Sequence, residues 1–317
     1  MSKPATPSPE ALNEQAWALF RKGDMRAAEQ YATEAVRRSP ELGRVCPLPE
    51  IWSLNAFYLA RTGRVAEARK MFGYVLENRP DDLYAQEGYL LTLREEFAQR
   101  GEGRRGRLLL GVGTGRSGST TLAKLWEAQE DCYSSHEHPP RLAWGGSRPR
   151  FEFHRRRFDL LRSAFGFVAD VSHWWLPYLD ELIDAMPDLR VVALRRERAA
   201  TVASFLKVKG GRIQGGINHW MAHDGSFWTR NAWDECYPDY DDEDVADAVG
   251  RYWDDYYAAV DALMQRRPDN IRIVPTEELG SDDVQRELLG FCGFERPKLL
   301  GDLRLNQGAA LDGQHMY

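Results

Sequence analysis

Apolar and polar positions along the chain follow two different rhythms. Up to about residue 100 the apolar residues recur at helical spacing, and the pattern predicts an all-α region over 11–100. From residue 107 onward the rhythm changes. Short continuous apolar or alternating runs appear at 107–113, 132–137, 165–172, 189–196 and 270–279, and these predict strands. Helical patterns fill the intervals at 119–130, 176–186, 198–209, 245–267 and 281–291. Strand and helix in alternation predict an α/β domain over 107–317, a parallel sheet with helices on both faces. "QRGEGRRGR" (99–107), rich in Gly and Arg, reads as the boundary. The first ten residues, "MSKPATPSPE", read as a disordered lead-in.

The helical region repeats itself. "LFRKGDMRAAEQYATEAVRRSP" and "LARTGRVAEARKMFGYVLENRP" align at an interval of 40: Gly23 with Gly63, Ala28 with Ala68, Ala35 with Val75, Pro40 with Pro80. The small residue lets two helices of a hairpin approach closely, and the proline ends the second helix. This spacing resembles the tetratricopeptide repeat, with "ELGRVCPLPE" (41–50) as a longer connection and a helix at about 82–99 as a cap. The resemblance implies a packing or self-associating module, or one that docks a protein partner or the acceptor.

Composition narrows the classes. A formal net charge of −6 argues against nucleic acid as the main partner. No apolar run approaches the roughly 20 residues that cross a membrane, and the opening residues lack the apolar stretch of a signal peptide. Cys46, Cys132, Cys236 and Cys292 are scattered with no C-x-x-C pair, which fits a reducing cytoplasm better than a disulfide framework or zinc site.

The chemistry starts at "GVGTGRSGSTTLAKLW" (111–126). A predicted strand runs into a glycine-rich turn and then a helix, the arrangement that aims backbone N–H groups at an anion. Gly115, Arg116, Ser117, Gly118, Ser119, Thr120 and Thr121 form the candidate cradle. From Gly113 the spacing matches a nucleotide-triphosphate loop, except that Ser119 stands where that loop has Lys. Lysine and Mg²⁺ together neutralise the β- and γ-phosphates of a triphosphate. A singly charged sulfonate needs less, and Arg116 is the only cation in the turn.

"RSGST" (116–120) resembles the 5′-phosphosulfate loop of the sulfotransferases that use 3′-phosphoadenosine 5′-phosphosulfate (PAPS). Their second motif, a strand followed by Arg and by Ser eight residues later, is similar to "VVALRRERAATVASFLK", with Arg196 and Ser204 at that interval and Arg195 as the alternative arginine. "ELLGFCGF" resembles the closing helix of the family, and "RLNQG" (304–308) is only vaguely similar to its final nucleotide-covering loop. The resemblance covers about 107–308. It implies a P-loop-like sulfotransferase fold, PAPS as co-substrate with no metal, and transfer of a sulfonate to a hydroxyl or amine of a small-molecule, carbohydrate or other acceptor. It also implies that Arg196 and Ser204 hold the 3′-phosphate.

Transfer to a hydroxyl needs a base. One branch of the family, including tyrosylprotein and bacterial glycolipid enzymes, uses a Glu about twenty residues after the loop. Glu137 in "CYSSHEHPPRL" stands twenty-one residues after Arg116 and is the expected base, with His136 and His138 as competitors. The adjacent H-E-H cannot all face one ion from a strand. At the third strand end, "VADVSHWW", Ser172 or His173 is placed to contact the sulfonate or acceptor, and His173 reads equally as a packed, non-catalytic histidine. The aromatic stretch 210–244, with Trp220, Trp228, Trp233 and Tyr237, reads as an acceptor loop or as packing. "FHRRRF" (153–158) reads as a surface helix face, with attraction of an anionic acceptor as the alternative. Two other classes remain: a P-loop small-molecule kinase, and a non-catalytic repeat adaptor carrying a relict nucleotide fold.

Overall fold

The computed structural model describes residues 7–39, 49–98, 100, 105–209, 219–220, 233–240 and 244–301. Cys46, Trp228 and the "RLNQG" segment lie outside the described residues. Two compact units divide between Gln99 and Arg100.

Among the described residues the first unit holds five helices: α1 (Pro9–Arg21), α2 (Met25–Arg38), α3 (Pro49–Arg61), α4 (Val65–Asn78) and α5 (Leu83–Phe97). They form hairpins α1–α2 and α3–α4, with α5 packed on α3 and α4. Side-chain caps set several starts. Asp24 accepts the Ala27 N–H at 3.2 Å, and Asp82 accepts that of Ala85 at 3.0 Å. Helix α1 begins two residues inside the expected lead-in. Ser8 caps it by accepting the Ala11 N–H at 3.2 Å, and Pro9 sits in the first turn, where its missing N–H costs nothing. Ala28, Ala32 and Val36 of α2 pack on Ala16 of α1, all without exposed surface. In the second hairpin Phe57 meets Phe72 edge-on, with ring centroids 5.0 Å apart.

The second unit is a five-stranded parallel sheet with helices. Its strands are β1 (Arg107–Val112), β2 (Cys132–His136), β3 (Phe167–Val171), β4 (Arg190–Arg195) and β5 (Ile271–Pro275), in the order β2-β3-β1-β4-β5. Strand β1 is in the centre, and "LLLGV" is buried on both faces, as a central parallel strand requires. Leu109, Ala169, Val171, Val192 and Leu194 share one core with Leu122 and Trp126 of α6 (Ser119–Glu127) and Leu288 and Leu289 of α11 (Asp282–Cys292). Alternate strand residues face the other side. There α7 (Arg148–Arg162) contacts β1 and β3, and α10 (Val245–Arg266) contacts β5. Two shorter helices, α8 (Leu179–Ala185) and α9 (Arg198–Lys209), precede and follow β4.

"FHRRRF" is not a surface face. It lies within α7 against the sheet, so its inward stripe is buried: Phe153, His154, Arg157 and Phe158 are at most 2% exposed. Only Arg155 and Arg156 of the six reach solvent. A basic triplet fits there because one buried guanidinium, Arg157, meets a buried carboxylate, Asp170.

Candidate active site

Strand β1 delivers the glycine-rich turn to the C-terminal edge of the sheet, where ligands of open parallel sheets bind. Two glycines there are required by geometry. A Cβ on Gly113 would strike Ser117 Oγ and come within 2.8 Å of the Leu194 carbonyl oxygen. Gly118 has φ 85° and caps α6 without a side-chain hydrogen bond. The first turn of α6 starts at this left-handed glycine, and the Thr121 N–H donates back to the Gly118 carbonyl at 3.0 Å. Arg116, with φ 56°, is also left-handed, a strained backbone for a residue with a Cβ. Ser117 Oγ is buried without a hydrogen-bond partner.

Other elements clamp the backbone of this turn. Gly113 N–H donates to the Tyr256 hydroxyl at 3.0 Å, and that hydroxyl donates to the His173 carbonyl at 2.9 Å. Thr276 Oγ1, just after β5, donates to the Ser117 carbonyl at 2.8 Å. Arg196, just after β4, donates from Nη1 to the Arg116 carbonyl at 2.9 Å. Arg116 Nε in turn donates to Ser204 Oγ on α9 at 3.2 Å. Residues 80 and 88 positions apart along the chain thus meet at one mouth. Arg195 turns the other way, to Asp261 at 2.5 Å and over the Tyr257 ring. Burial and the charge of Arg196 lower the Arg116 pKa from its ordinary value, and the Glu137 carboxylate partly opposes them.

The ends of β2 and β3 form the second part. Glu137 follows β2 with φ 51°, its N–H donating to the Val171 carbonyl at 3.0 Å. His136 Nε2 lies 2.9 Å from Ser119 Oγ. Beneath them Asp170, with no exposed surface, accepts from Ser135 Oγ at 2.6 Å, Ser172 Oγ at 2.7 Å and Trp175 Nε1 at 2.7 Å. Ser172 is therefore committed to Asp170. His173 is 3% exposed and lies flat on Tyr237, with centroids 4.5 Å apart. Burial, then the charges of His219 and Arg141, pushes its pKa down to about 3, and the Cys236 backbone partly opposes them. At neutral pH it is an uncharged packed ring. Of the aromatic stretch, Trp220 and Tyr237 are buried too, packed edge-on or tilted against Phe205, Tyr252 and each other. Trp233 is half-buried under the Arg141 guanidinium, 3.9 Å from its ring.

No family model matches the chain, and no curated protein matches it. Among solved structures it is similar to the crystal structure of a sulfotransferase from Alicyclobacillus acidocaldarius. Identity is 16% over 64% of this chain and 86% of that one, with a TM-score of 0.37.

The arrangement can bind an anion in the turn, with guanidinium and hydroxyl groups beside it and a carboxylate across from them. Among the described residues no cluster of His, Cys, Asp or Glu is arranged to hold a metal ion, and no helix is long and apolar enough to cross a membrane. The sequence places Asp170 at the third strand end without a role, and gives no sign of Tyr256, Thr276 or Arg157 as parts of the site. Tyr252 and Tyr256 stand four residues apart on α10, a stripe indistinguishable in sequence from ordinary core.

Proposed function

We propose that this protein is a PAPS-dependent sulfotransferase acting on a hydroxyl or amine of a small-molecule or carbohydrate acceptor. The observation that carries the reading is the junction of Arg116, Arg196 and Ser204 at the mouth of the glycine-rich turn. A nucleotide with phosphates at both its 5′ and 3′ positions needs two anion sites a short distance apart, and this junction supplies cations and a hydroxyl for the second. The fit to such a ligand has two further supports. The backbone at Gly113 leaves no room for a side chain, and Ser117 Oγ is a buried hydroxyl awaiting a partner. When bound, PAPS supplies a singly charged sulfonate on a phosphate leaving group.

The chain's own residues then have these roles. Gly115, Ser117, Gly118, Ser119, Thr120 and Thr121 hold the 5′-phosphate through loop and helix N–H groups and hydroxyls. Arg116 steadies the charge that gathers on the leaving oxygen. Arg196 and Ser204 hold the 3′-phosphate. Glu137 accepts the proton of the attacking hydroxyl. His173, neutral and packed, shapes the wall beside Tyr237. The helical unit is proposed to associate with a partner or a second copy, and the protein to act in the cytoplasm.

Calorimetric titration with 3′,5′-ADP, the expected product, tests the nucleotide site; binding tighter than that of ATP–Mg²⁺ is the expected result. Preference for ATP–Mg²⁺, or no response to 3′,5′-ADP, would overturn the reading. With labelled PAPS and an accepted acceptor, Glu137→Gln should lose about 10²–10⁴-fold in turnover while 3′,5′-ADP affinity stays within about threefold. Full turnover in that variant would remove Glu137 as the base.

A further inference from the structure

The lysine slot of the turn holds Ser119, yet that position is not without a basic neighbour. His136, the last residue of β2, reaches across to Ser119 Oγ, the first residue of α6, at 2.9 Å. The two meet because β2 lies along α6, pinned there by Ser134 Oγ donating to the Ala123 carbonyl at 2.9 Å. On the opposite side β2 is in register with β3, His136 beside Val171. The imidazole is half-buried at the edge of the cradle, so it neither packs into the core nor hangs free in solvent.

We propose that His136 takes the place of the missing lysine. Its Nε2–H donates to Ser119 Oγ, and the Ser119 hydroxyl is then free to donate its own proton to the anion in the turn. When Nδ1 also takes a proton from solvent, the imidazolium adds the positive charge that lysine would have carried. A lysine keeps its charge across the physiological range, whereas a histidine gains or loses it around neutral pH. The grip on the anion is therefore adjustable, strengthening as pH falls. This rests on the reading of the turn as a phosphate site.

The charged and titratable groups around His136 pull in both directions. Glu137, the next residue, and the bound anion favour the imidazolium. Across the mouth Arg116, whose charge reaches Glu137, opposes it. From the turn after β3, His173 feels the charge of His136 and stays neutral itself. Asp170 on β3 is occupied by Ser135, Ser172 and Trp175 and offers His136 no direct bond. The bound anion tips the balance, so binding should draw a proton onto His136.

Calorimetry of 3′,5′-ADP binding at pH 6, 7 and 8, in buffers of different ionisation enthalpy, measures both affinity and proton uptake. His136→Gln removes the titrating group and subtracts the nucleotide's own titration; Ser119→Ala keeps the imidazole and removes the relay; His136→Lys restores a fixed charge. Wild-type affinity should fall about tenfold further than that of His136→Gln between pH 6 and 8. Wild type should also take up more protons at pH 7 than His136→Gln. Ser119→Ala, which keeps the titrating imidazole, should bind more weakly at every pH while retaining the proton uptake, and His136→Lys should bind tightly with the flat profile of His136→Gln. If wild type and His136→Gln bind with the same pH slope and proton uptake, the inference is wrong and the sulfotransferase reading stands. If wild type does not bind 3′,5′-ADP at all, that reading fails and takes this inference with it.

Discussion

The turn after β1 and the paired ends of β2 and β3 lie along the same edge of the sheet, and they are held by opposite means. In the turn the partners grip backbone atoms: Tyr256 the Gly113 N–H, Thr276 the Ser117 carbonyl, Arg196 the Arg116 carbonyl. At the strand ends side chain grips side chain: Ser135, Ser172 and Trp175 all converge on one carboxylate, Asp170, with Arg157 behind it. The first region is a shape, fixed by glycines and by two hydroxyls and one guanidinium that hold backbone atoms. The second is a charge balance in a place with no solvent. Damage should follow that distinction: loss of shape in the first, unpaired charge and pH sensitivity in the second.

The severest test falls on Asp170. Asp170→Ala leaves the fully buried Arg157 guanidinium without its counter-charge and three donors without their acceptor. Breaking a buried ion pair by removing one partner costs about 3–5 kcal/mol. Urea unfolding of Asp170→Ala should show a loss of that order, with Asp170→Asn, which keeps an acceptor oxygen, losing less. A loss below about 1 kcal/mol would place the pair among ordinary polar contacts and blur the contrast between the two regions.

Tyr256→Phe probes the shape-built turn. One hydroxyl serves two buried backbone groups, the Gly113 N–H and the His173 carbonyl. Each such group left unpaired costs about 1–3 kcal/mol. Stability should fall within that range or a little above it, and 3′,5′-ADP should bind more weakly because the turn relaxes. Since the Tyr256 pKa lies well above its ordinary value through burial, the hydroxyl is neutral throughout. The loss should therefore be equal at pH 5.5 and pH 8. A loss that grew toward one end of that range would mean that charge, not shape, holds the turn.

The same contrast governs how much could be read from the sequence. Backbone-built features are local: an apolar run, glycines at fixed intervals and a helix start are contiguous from residue 107 to 127. All five expected strands occur, with ends within a few residues, because "RLLLGV" and "LRVVALRR" bury both faces and can be little else. Side-chain networks are not local. Ser135, Arg157, Asp170 and Trp175 belong to three different segments, and nothing in "FHRRRF" says which arginine turns inward. The Arg195–Arg196 pair is similar. Its register is decided by Asp261, 66 residues on, which draws Arg195 away from the turn.

The mildest expected effect concerns pH and belongs to the charge-built region. His154 on α7 is fully buried, and its Nε2–H donates to the Pro140 carbonyl at 2.7 Å, in the turn that follows Glu137. Burial, and then the Arg157 charge, hold its pKa down at about 4, although the Pro140 hydrogen bond and Asp170 oppose them. In the unfolded chain a histidine titrates near 6.5. Between about pH 6.5 and pH 4 the unfolded state therefore binds more protons, and stability must fall as pH drops through that window, levelling off below it. His173, with its pKa pushed down to about 3, acts in the same direction from the neighbouring turn. His154→Gln can keep a donor for Pro140 and removes one of the two titrations. At pH 5 wild type should have lost about 1–2 kcal/mol more, relative to pH 7, than the variant has. Thermal midpoints measured at pH 7, 6 and 5 give the comparison directly. Parallel curves would show that the buried ring accommodates its proton by local rearrangement, so that the strand ends are less rigidly charge-balanced than their hydrogen bonds imply.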